Sequence, residues 1–419
     1  MRLLVRDAGR LVGILESTSD RGVMFRYDGD YLAWSEARPL SLSLPLRDSP
    51  FSQAATMPFF SGLLPDGEVR RKVADYLHVS PSSTLKLLDA LGGDCAGTVS
   101  IVNEETAGQG RTDAPGGGRA AYKELSRDEL AALVMESERR PLLAPRDGAR
   151  LSLAGAQDKI PLRYAEGRWF LPLGEAPSSH ILKPASRAFE DLVFNEFFCM
   201  RFAASLGFTV PAVDIVDAGR KTLLVKRYDR ETDGEGRLTR IHQEDFCQAL
   251  GIMPDKKYEA DGGPSFAAIA ATIRKGGADP LRDIAAFVRM ALFNLLIGNC
   301  DAHGKNFSLL YLGRRIALAP FYDLVCTTVY PELANSYSMR FGGAYLFKDL
   351  GPAQVERFAA EVGVRPKFVK DTLSELIDTA AATREEVASA AELADAQPLV
   401  RSILEGWDAR FRALASGGV

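Results

Sequence analysis

An aspartate and an asparagine five residues apart lie within Asn299-Cys-Asp301-Ala-His303-Gly304-Lys305-Asn306. On a loop, this spacing suits transfer of a phosphoryl group to a hydroxyl. The carboxylate can accept the proton of the attacking hydroxyl, and the amide can reach a magnesium ion behind it. Taken alone, the spacing is common and fits an ordinary structural turn better. A second carboxylate comes from the setting. Apolar Phe307–Leu310, the turn Gly313-Arg314-Arg315 and Ile316–Ala319 read as strand, turn and strand, which bring Phe321-Tyr322-Asp323 back to the same place. Carboxylate and amide oxygens suit Mg²⁺, whose other ligands are waters and substrate phosphates.

Cations upstream supply a place for phosphate. In Leu151-Ser152-Leu-Ala154-Gly155-Ala156-Gln157-Asp158-Lys159, small residues between two expected strands let backbone N–H groups approach phosphate oxygens. The stretch is neither a Walker A motif nor G-x-G-x-x-G, and the chain contains neither. Lys183 ends the strand-like HILK, and Glu196 follows thirteen residues later on an expected helix. That is the spacing of a strand lysine held by a helix glutamate; a solvated lysine and an exposed glutamate fit the same residues. Loop, lysine, glutamate, hinge, catalytic loop and metal aspartate occur in the order that a two-lobed kinase requires.

The elements that must position these residues are legible in outline. Residues 1 to about 50 alternate short apolar runs with turns, and Leu40, Leu42, Leu44 and Leu46 recur at period two, as along an extended strand. Val69–Leu77 and Ser83–Leu91 read as helices. Residues 106–120 are Gly-rich, a linker. Ser126 and Glu129 form a capping box at a helix start. Ile160, Leu162 and Tyr164, then Trp169, Leu171 and Leu173, alternate about a turn as in a hairpin. Asp191–Leu206 is an amphipathic helix stopped by Gly207. Val213–Val216 and Thr222–Val225 are strands, and helices dominate from Gln243 onward. The apolar run Ile284–Gly298 contains Arg289 and is too short to span a bilayer, so it reads as a buried helix. The expected architecture is α+β: a small β-rich module (1–105), a linker (106–120), a β-rich lobe (121–240) and an all-helical lobe (241–419).

Composition fits a cytoplasmic location. Apolar residues make up 46 % and charged residues 25 % of the chain, and the net charge of −4 provides no global basic field for nucleic acid or lipid. The N-terminus lacks a signal-peptide stretch. Five scattered cysteines, with no C-x-x-C pair, suggest reduced buried thiols rather than zinc ligands or disulfides. His78 and His180 have no metal-ligand spacing, His242 could border a nucleotide, and Arg70-Arg71-Lys72 reads as a solvated face.

Beyond spacing, the stretches FFSGLLPDG (59–67), GGDCAG (92–97), SLAGAQDK (152–159), HILKP (180–184), LLVKRYDR (223–230), HQEDFCQALG (242–251), GNCDAHGKNFSLL (298–310) and LAPFYDL (318–324) resemble the HipA family of bacterial Ser/Thr kinases, toxins of type II toxin–antitoxin pairs linked to persistence. The resemblance implies a bilobal protein-kinase-like fold and a Mg-ATP site. Asp301 would be the proton acceptor, and Asn306 and Asp323 the metal ligands. Ala154, Gly155, Ala156, Gln157, Asp158 and Lys159 would form the nucleotide loop, with Lys183 on the phosphates and Glu196 as its ion-pair partner. Lys226, Arg227 and Tyr228 would form the adenine hinge, helped by Gln243. His303, Gly304, Lys305 and Tyr322 would complete the ATP site. Ser152 matches a serine whose autophosphorylation displaces that loop. The implied substrate is a translation component such as an aminoacyl-tRNA synthetase. The implied partner is a HipB-like helix-turn-helix antitoxin, through which the kinase meets DNA. Asp158 stands where Glu is usual, and Lys226 where an acidic residue is common.

Two other activities fit part of the pattern. A small-molecule phosphotransferase of the aminoglycoside or choline type would share the catalytic loop, but not the N-terminal module or the Ser152 loop. A catalytically silent co-repressor scaffold would have no use for Lys183, Asp301, Asn306 and Asp323 together.

Overall fold

The computed structural model describes residues 1–18, 22–105, 107, 122–136, 150, 152–153, 158–185, 189 and 191–416. The expected linker, apart from residue 107, and the loop residues 154–157 lie outside them. Along the chain run β1 (Arg2–Asp7), β2 (Arg10–Ser17), β3 (Val23–Tyr27), α1 (Gly29–Ala33), α2 (Gln53–Gly62), α3 (Gly67–Tyr76), α4 (Thr84–Leu91) and β4 (Val99–Asn103). Next come β5 (Tyr122–Leu125), α5 (Arg127–Met135), β6 (Ile160–Ala165), β7 (Arg168–Pro172), β8 (His180–Pro184), α6 (Leu192–Ser205), β9 (Val213–Asp217) and β10 (Lys221–Lys226). After β11 (Arg230–Thr232), β12 (Leu238–Arg240), β13 (His242–Asp245) and α7 (Phe246–Ala249) come α8 (Phe266–Gly276) and α9 (Pro280–Ile297). The chain finishes with β14 (Ser308–Leu312), β15 (Arg315–Leu318), β16 (Ser336–Phe341), β17 (Ala344–Leu346), α10 (Pro352–Glu361), α11 (Pro366–Ala388) and α12 (Gln397–Ser416).

These elements form two compact units. The first comprises Met1–Pro184, Val216–Asp255 and Leu310–Arg314; the second comprises Ala185–Ile215, Lys256–Leu309 and Arg315–Val419. In the first unit, a sheet in the order β3-β2-β1-β4 turns Leu3, Val5, Val12, Leu15 and Phe25 inward. Phe25 packs on Phe51 and Phe60 at 6.1 and 5.3 Å between ring centroids. Full burial of such a side chain contributes about 1.5–3 kcal/mol. A second sheet runs β5-β7-β6-β8-β10 through the strands lying wholly in this unit. Its β6–β7 hairpin pairs Tyr164 with Trp169 and Ala165 with Arg168, the alternation expected from sequence. The Ser126 hydroxyl accepts from Glu129 N at 3.1 Å, and the Glu129 carboxylate accepts from Ser126 N at 2.8 Å, so the capping box forms.

The strand expected from Leu40 to Leu46 does not exist. The segment is a turn with one isolated bridge between Ser41 and Leu44. Leu40 and Leu44 are buried, whereas Leu46 is exposed. The reason is local hydrogen bonding, which competes with a ladder. The Tyr27 hydroxyl donates to Leu44 O at 2.6 Å and accepts from Leu40 N at 2.9 Å, and Ser41 and Ser43 both donate to Gln248 O. Arg70 is likewise no solvated cation, because its guanidinium donates to Pro81 O, Ser61 Oγ and Thr84 Oγ1.

The second unit is mainly helical. α9 buries Ile284, Phe287, Val288, Ala291, Leu292, Leu295 and Leu296. Phe293 sets its ring 5.4–6.1 Å from Phe202, Phe208, Phe321 and Trp407. The expectation of an all-helical second lobe is corrected by β16 and β17, which pair antiparallel through Ser336–Leu346 and Phe341–Ala344. Period-two apolar runs this short carry too little signal to separate from loop. All five cysteines are buried, and no disulfide joins them. Among the described residues, no helix is long and apolar enough to cross a membrane.

Candidate active site

The candidate catalytic loop of the second unit begins where α9 must stop. Gly298 adopts φ +77°, and a Cβ there would stand 2.4 Å from Thr328 Oγ1, so only glycine serves. The loop is then pinned from both sides. Cys300 N donates to Thr327 Oγ1 at 2.9 Å, Thr327 N donates to Gly298 O at 3.0 Å, and the Ser338 hydroxyl donates to Cys300 O at 2.7 Å. Asp301 therefore projects from a fixed backbone, with 55 % of its side-chain surface open. Desolvation by the surrounding protein pushes its carboxyl up, Lys257 and a hydrogen bond from Tyr258 pull it down, and Asp323 adds to the rise.

Asn306 closes the loop on itself. Its Oδ1 accepts from His303 N at 3.1 Å, its own N donates to His303 O at 2.9 Å, and its Nδ2 donates to Asp323 Oδ2 at 2.8 Å. Asp323 sits at φ +60°, a left-handed conformation that costs a non-glycine residue energy and that aspartate tolerates better than most. It arrives there because Ala319 N donates to Ser308 O at 2.8 Å and Phe321 N to Thr209 O at 2.8 Å. The Tyr322 hydroxyl donates to Lys305 O at 2.7 Å and lies 2.7 Å from Ser308 Oγ. Asp301, His303, Lys305, Asn306, Tyr322 and Asp323 are thus brought together in one unit.

The pair Asn306–Asp323 fits magnesium in its donor chemistry, as one carboxylate and one amide leave most positions for phosphates and water. No group of three or more His, Cys, Asp or Glu residues suited to hold a metal occurs among the described residues, so an all-protein cage is not what the site offers. His303 provides a further opening. Its Nδ1 is buried without a hydrogen-bond partner, and burial, then Lys257 and Lys305, hold the imidazole well below its usual pKa and hence neutral. A neutral imidazole can donate to a phosphate oxygen from that atom.

The first unit carries the other candidate residues. Lys183 lies on β8 opposite Leu223 of β10, and it is buried, as is Glu196 on α6 in the second unit; neither is a solvated surface charge. Asp158 is partly buried, and burial raises its carboxyl while Lys72 lowers it. Lys226 is exposed, at the end of β10 opposite His180. Tyr228 hydrogen-bonds Gln243 through its hydroxyl, and Gln243 Nε2 donates to Asp229 Oδ2 at 2.9 Å. His242 is enclosed, within 2.8 Å of Leu40 O and 3.2 Å of Thr98 Oγ1.

Arg227 commits its side chain to the protein itself. Its guanidinium is buried among Asp94, Ser178, Asp229 and Cys95 O at 2.8–3.2 Å. Arg230 and Arg240 also reach Asp94, at 2.8 and 3.0 Å, and Ser178 donates to it from N and Oγ. Burial would raise the Asp94 carboxyl, but Arg230, Arg227 and Arg240 hold it well below the ordinary carboxylate range. Sequence reading assigned no role to Asp94 or Tyr258. For Asp94 a signal existed, a lone carboxylate set among glycines in GGDCAG; for Tyr258 there was none.

A HipA N-terminal domain model matches residues 3–102, and a HipA-like C-terminal domain model matches residues 151–384. A Sinorhizobium fredii protein named "Putative kinase Y4mE" is 40 % identical over 376 residues, 89 % of this chain and 88 % of that one. The "Serine/threonine-protein kinase toxin HipA" of Shewanella oneidensis is 32 % identical over 358 residues, 81 % of this chain and 78 % of its own. A solved Shewanella oneidensis complex of HipA, HipB and operator DNA contains a chain that superposes with a TM-score of 0.83 at 27 % identity, over 99 % of this chain and 97 % of that one. Matched in both domains and along nearly its whole length, this chain belongs to the HipA family.

Proposed function

We propose that the protein is a Mg-ATP-dependent serine/threonine protein kinase and the toxin of a toxin–antitoxin pair. The observation that carries this reading is the loop that leaves the Asp301 carboxylate accessible and hydrogen-bonds Asn306 to Asp323 behind it. Asp301 takes the proton from the substrate hydroxyl. Asn306 and Asp323 hold the magnesium, which neutralises charge on the nucleotide phosphates when bound. His303 and Lys305 add donors beside them. A HipB-like antitoxin is the proposed partner, with DNA met through it, as the assembly of the Shewanella HipA suggests. The proposed substrate is a component of translation such as an aminoacyl-tRNA synthetase.

A thermal-shift titration with Mg-ATP tests the site. Ligand at a hundredfold excess over Kd stabilises the wild type by about 2.7 kcal/mol. Asp323→Ala is expected to remove the magnesium-dependent part, because that carboxylate supplies the protein's charge on the ion. Asn306→Ala should weaken it less, since an amide offers only a dipole. A larger loss at Asn306 than at Asp323 would refute the metal assignment.

The structure sharpens the proposal for Ser152. Its hydroxyl is buried and donates to Leu63 O at 2.7 Å, while its N donates to Asp94 O at 3.1 Å. A phosphate there, with roughly −1.5 to −2 charge, has no solvation in that position. Phosphorylated Ser152 must therefore leave its seat. Peptide mapping after incubation with Mg-ATP is expected to find phosphate on Ser152 in the wild type and none in Asp301→Asn, and the phosphorylated form should lose its thermal shift with ATP. Turnover of a protein substrate with Ser152 unmodified would end this idea.

A further inference from the structure

Asp301 already holds a hydroxyl. Tyr258 Oη donates to Asp301 Oδ1 at 2.9 Å, and its ring stands edge-on to His303 with 5.4 Å between centroids. Tyr258 opens a short turn, Glu259–Asp261, that is fastened to the second unit at both ends. Gly263 N and Asp261 N both donate back to Tyr258 O, at 2.8 and 3.0 Å. The Glu259 carboxylate, only 7 % exposed, accepts from Arg340 N at 2.7 Å and Arg340 Nε at 2.8 Å on β16. Further on, Pro264 presses on the catalytic loop so closely that a Cβ at Gly304 would stand 2.5 Å from its Cγ. Residues 258–264 are therefore a strap laid on the acceptor side of the base.

The position of that phenol oxygen has a chemical meaning. A phosphate acceptor must bring its hydroxyl within roughly 2.6–3.2 Å of the base. Tyr258 Oη occupies such a place on Oδ1, as the same kind of donor. Water competes for the same seat, and water attacking the nucleotide only wastes it. A protein substrate has contacts elsewhere with which to displace the tyrosine; water has none. We propose that Tyr258 is an acceptor-site residue that sets the ratio of phosphoryl transfer to ATP hydrolysis, sitting on Asp301 until a protein hydroxyl takes its place. This rests on Asp301 being the base.

Basal hydrolysis of Mg-ATP without any protein acceptor reads the effect directly. Tyr258→Phe keeps the ring against His303 and removes only the donor. A hydrogen bond to a charged group is worth a factor of about ten or more, so hydrolysis should rise about tenfold in this variant. Arg340→Gln loosens the strap while leaving the tyrosine in place, and should shift hydrolysis in the same direction. The rise must vanish in the Tyr258→Phe/Asp301→Asn double variant. Hydrolysis at or below wild type in both Tyr258→Phe and Arg340→Gln, with Asp301→Asn inactive, overturns the proposal and spares the base. A rise that survives Asp301→Asn overturns it as well. Wild-type activity in Asp301→Asn alone removes the base itself.

Discussion

Asp301→Asn is expected to leave fold and ATP binding intact while lowering phosphoryl transfer by ~10²–10⁴-fold, the usual worth of a positioned general base. Asparagine is nearly isosteric, and the loop that carries it is fastened through Cys300 and Thr327 rather than through the carboxylate. The variant keeps an oxygen for the Tyr258 hydroxyl but cannot take a proton. Single-turnover phosphorylation measured beside a thermal shift with Mg-ATP separates the two properties. Turnover equal to wild type in a pure preparation would take the role away from Asp301. A lost thermal shift would mean that the side chain serves binding instead.

The largest expected effect on stability belongs to Asp94→Asn. This carboxylate is fully buried and faces three guanidiniums, of Arg227, Arg230 and Arg240, at 2.8–3.2 Å. Removing one partner of a buried ion pair costs about 3–5 kcal/mol, because the remaining charge has neither water nor counter-ion. Here Asp229 would be left to answer Arg227 and Arg230, while Arg240 would keep neutral acceptors such as Gly93 O and Glu175 O but lose its counter-charge. For contrast, the Arg2–Glu104 pair is 46 % and 40 % exposed and should contribute below about 1 kcal/mol when broken. Urea denaturation of Asp94→Asn beside Arg2→Gln makes the comparison. A loss under about 1 kcal/mol at Asp94 would mean that the arginines find other partners and that the cluster holds little of the fold.

Local signals were the ones readable in the amino-acid order. The capping box at Ser126, the hairpin about residues 166–167 and the helix ahead of Gly298 follow from side chains within a few positions of one another, where periodicity and turn chemistry act. The same is true of the catalytic loop, whose Asp301 and Asn306 are near neighbours, and of Asp323, delivered by a short strand–turn–strand. What was not legible depends on distant partners. The Leu40–Leu46 alternation suggested a strand, but Tyr27 and the neighbouring serine hydroxyls claim that backbone. Arg70 lies in a charged run on an amphipathic helix and turns inward only because carbonyl and hydroxyl oxygens from residues 61, 81 and 84 await it. Tyr258 reaches Asp301 across 43 positions, and no spacing rule pairs a tyrosine with a carboxylate at that range.

The buried cluster around Asp94 also sets a timetable. Arg227 and Arg240 follow it in the chain by 133 and 146 positions. At a synthesis rate of roughly 5–20 residues per second, Asp94 emerges from the ribosome roughly 7–30 s before the last of its guanidiniums. During that interval a nascent chain carrying β1 to β4 has a carboxylate that it cannot bury without partners. Burial of that carboxylate among its partners must wait for the segment that also bears Lys226 to Tyr228. One stretch of chain therefore supplies both the counter-charges of Asp94 and the proposed adenine hinge, so a chain broken off before residue 226 lacks both.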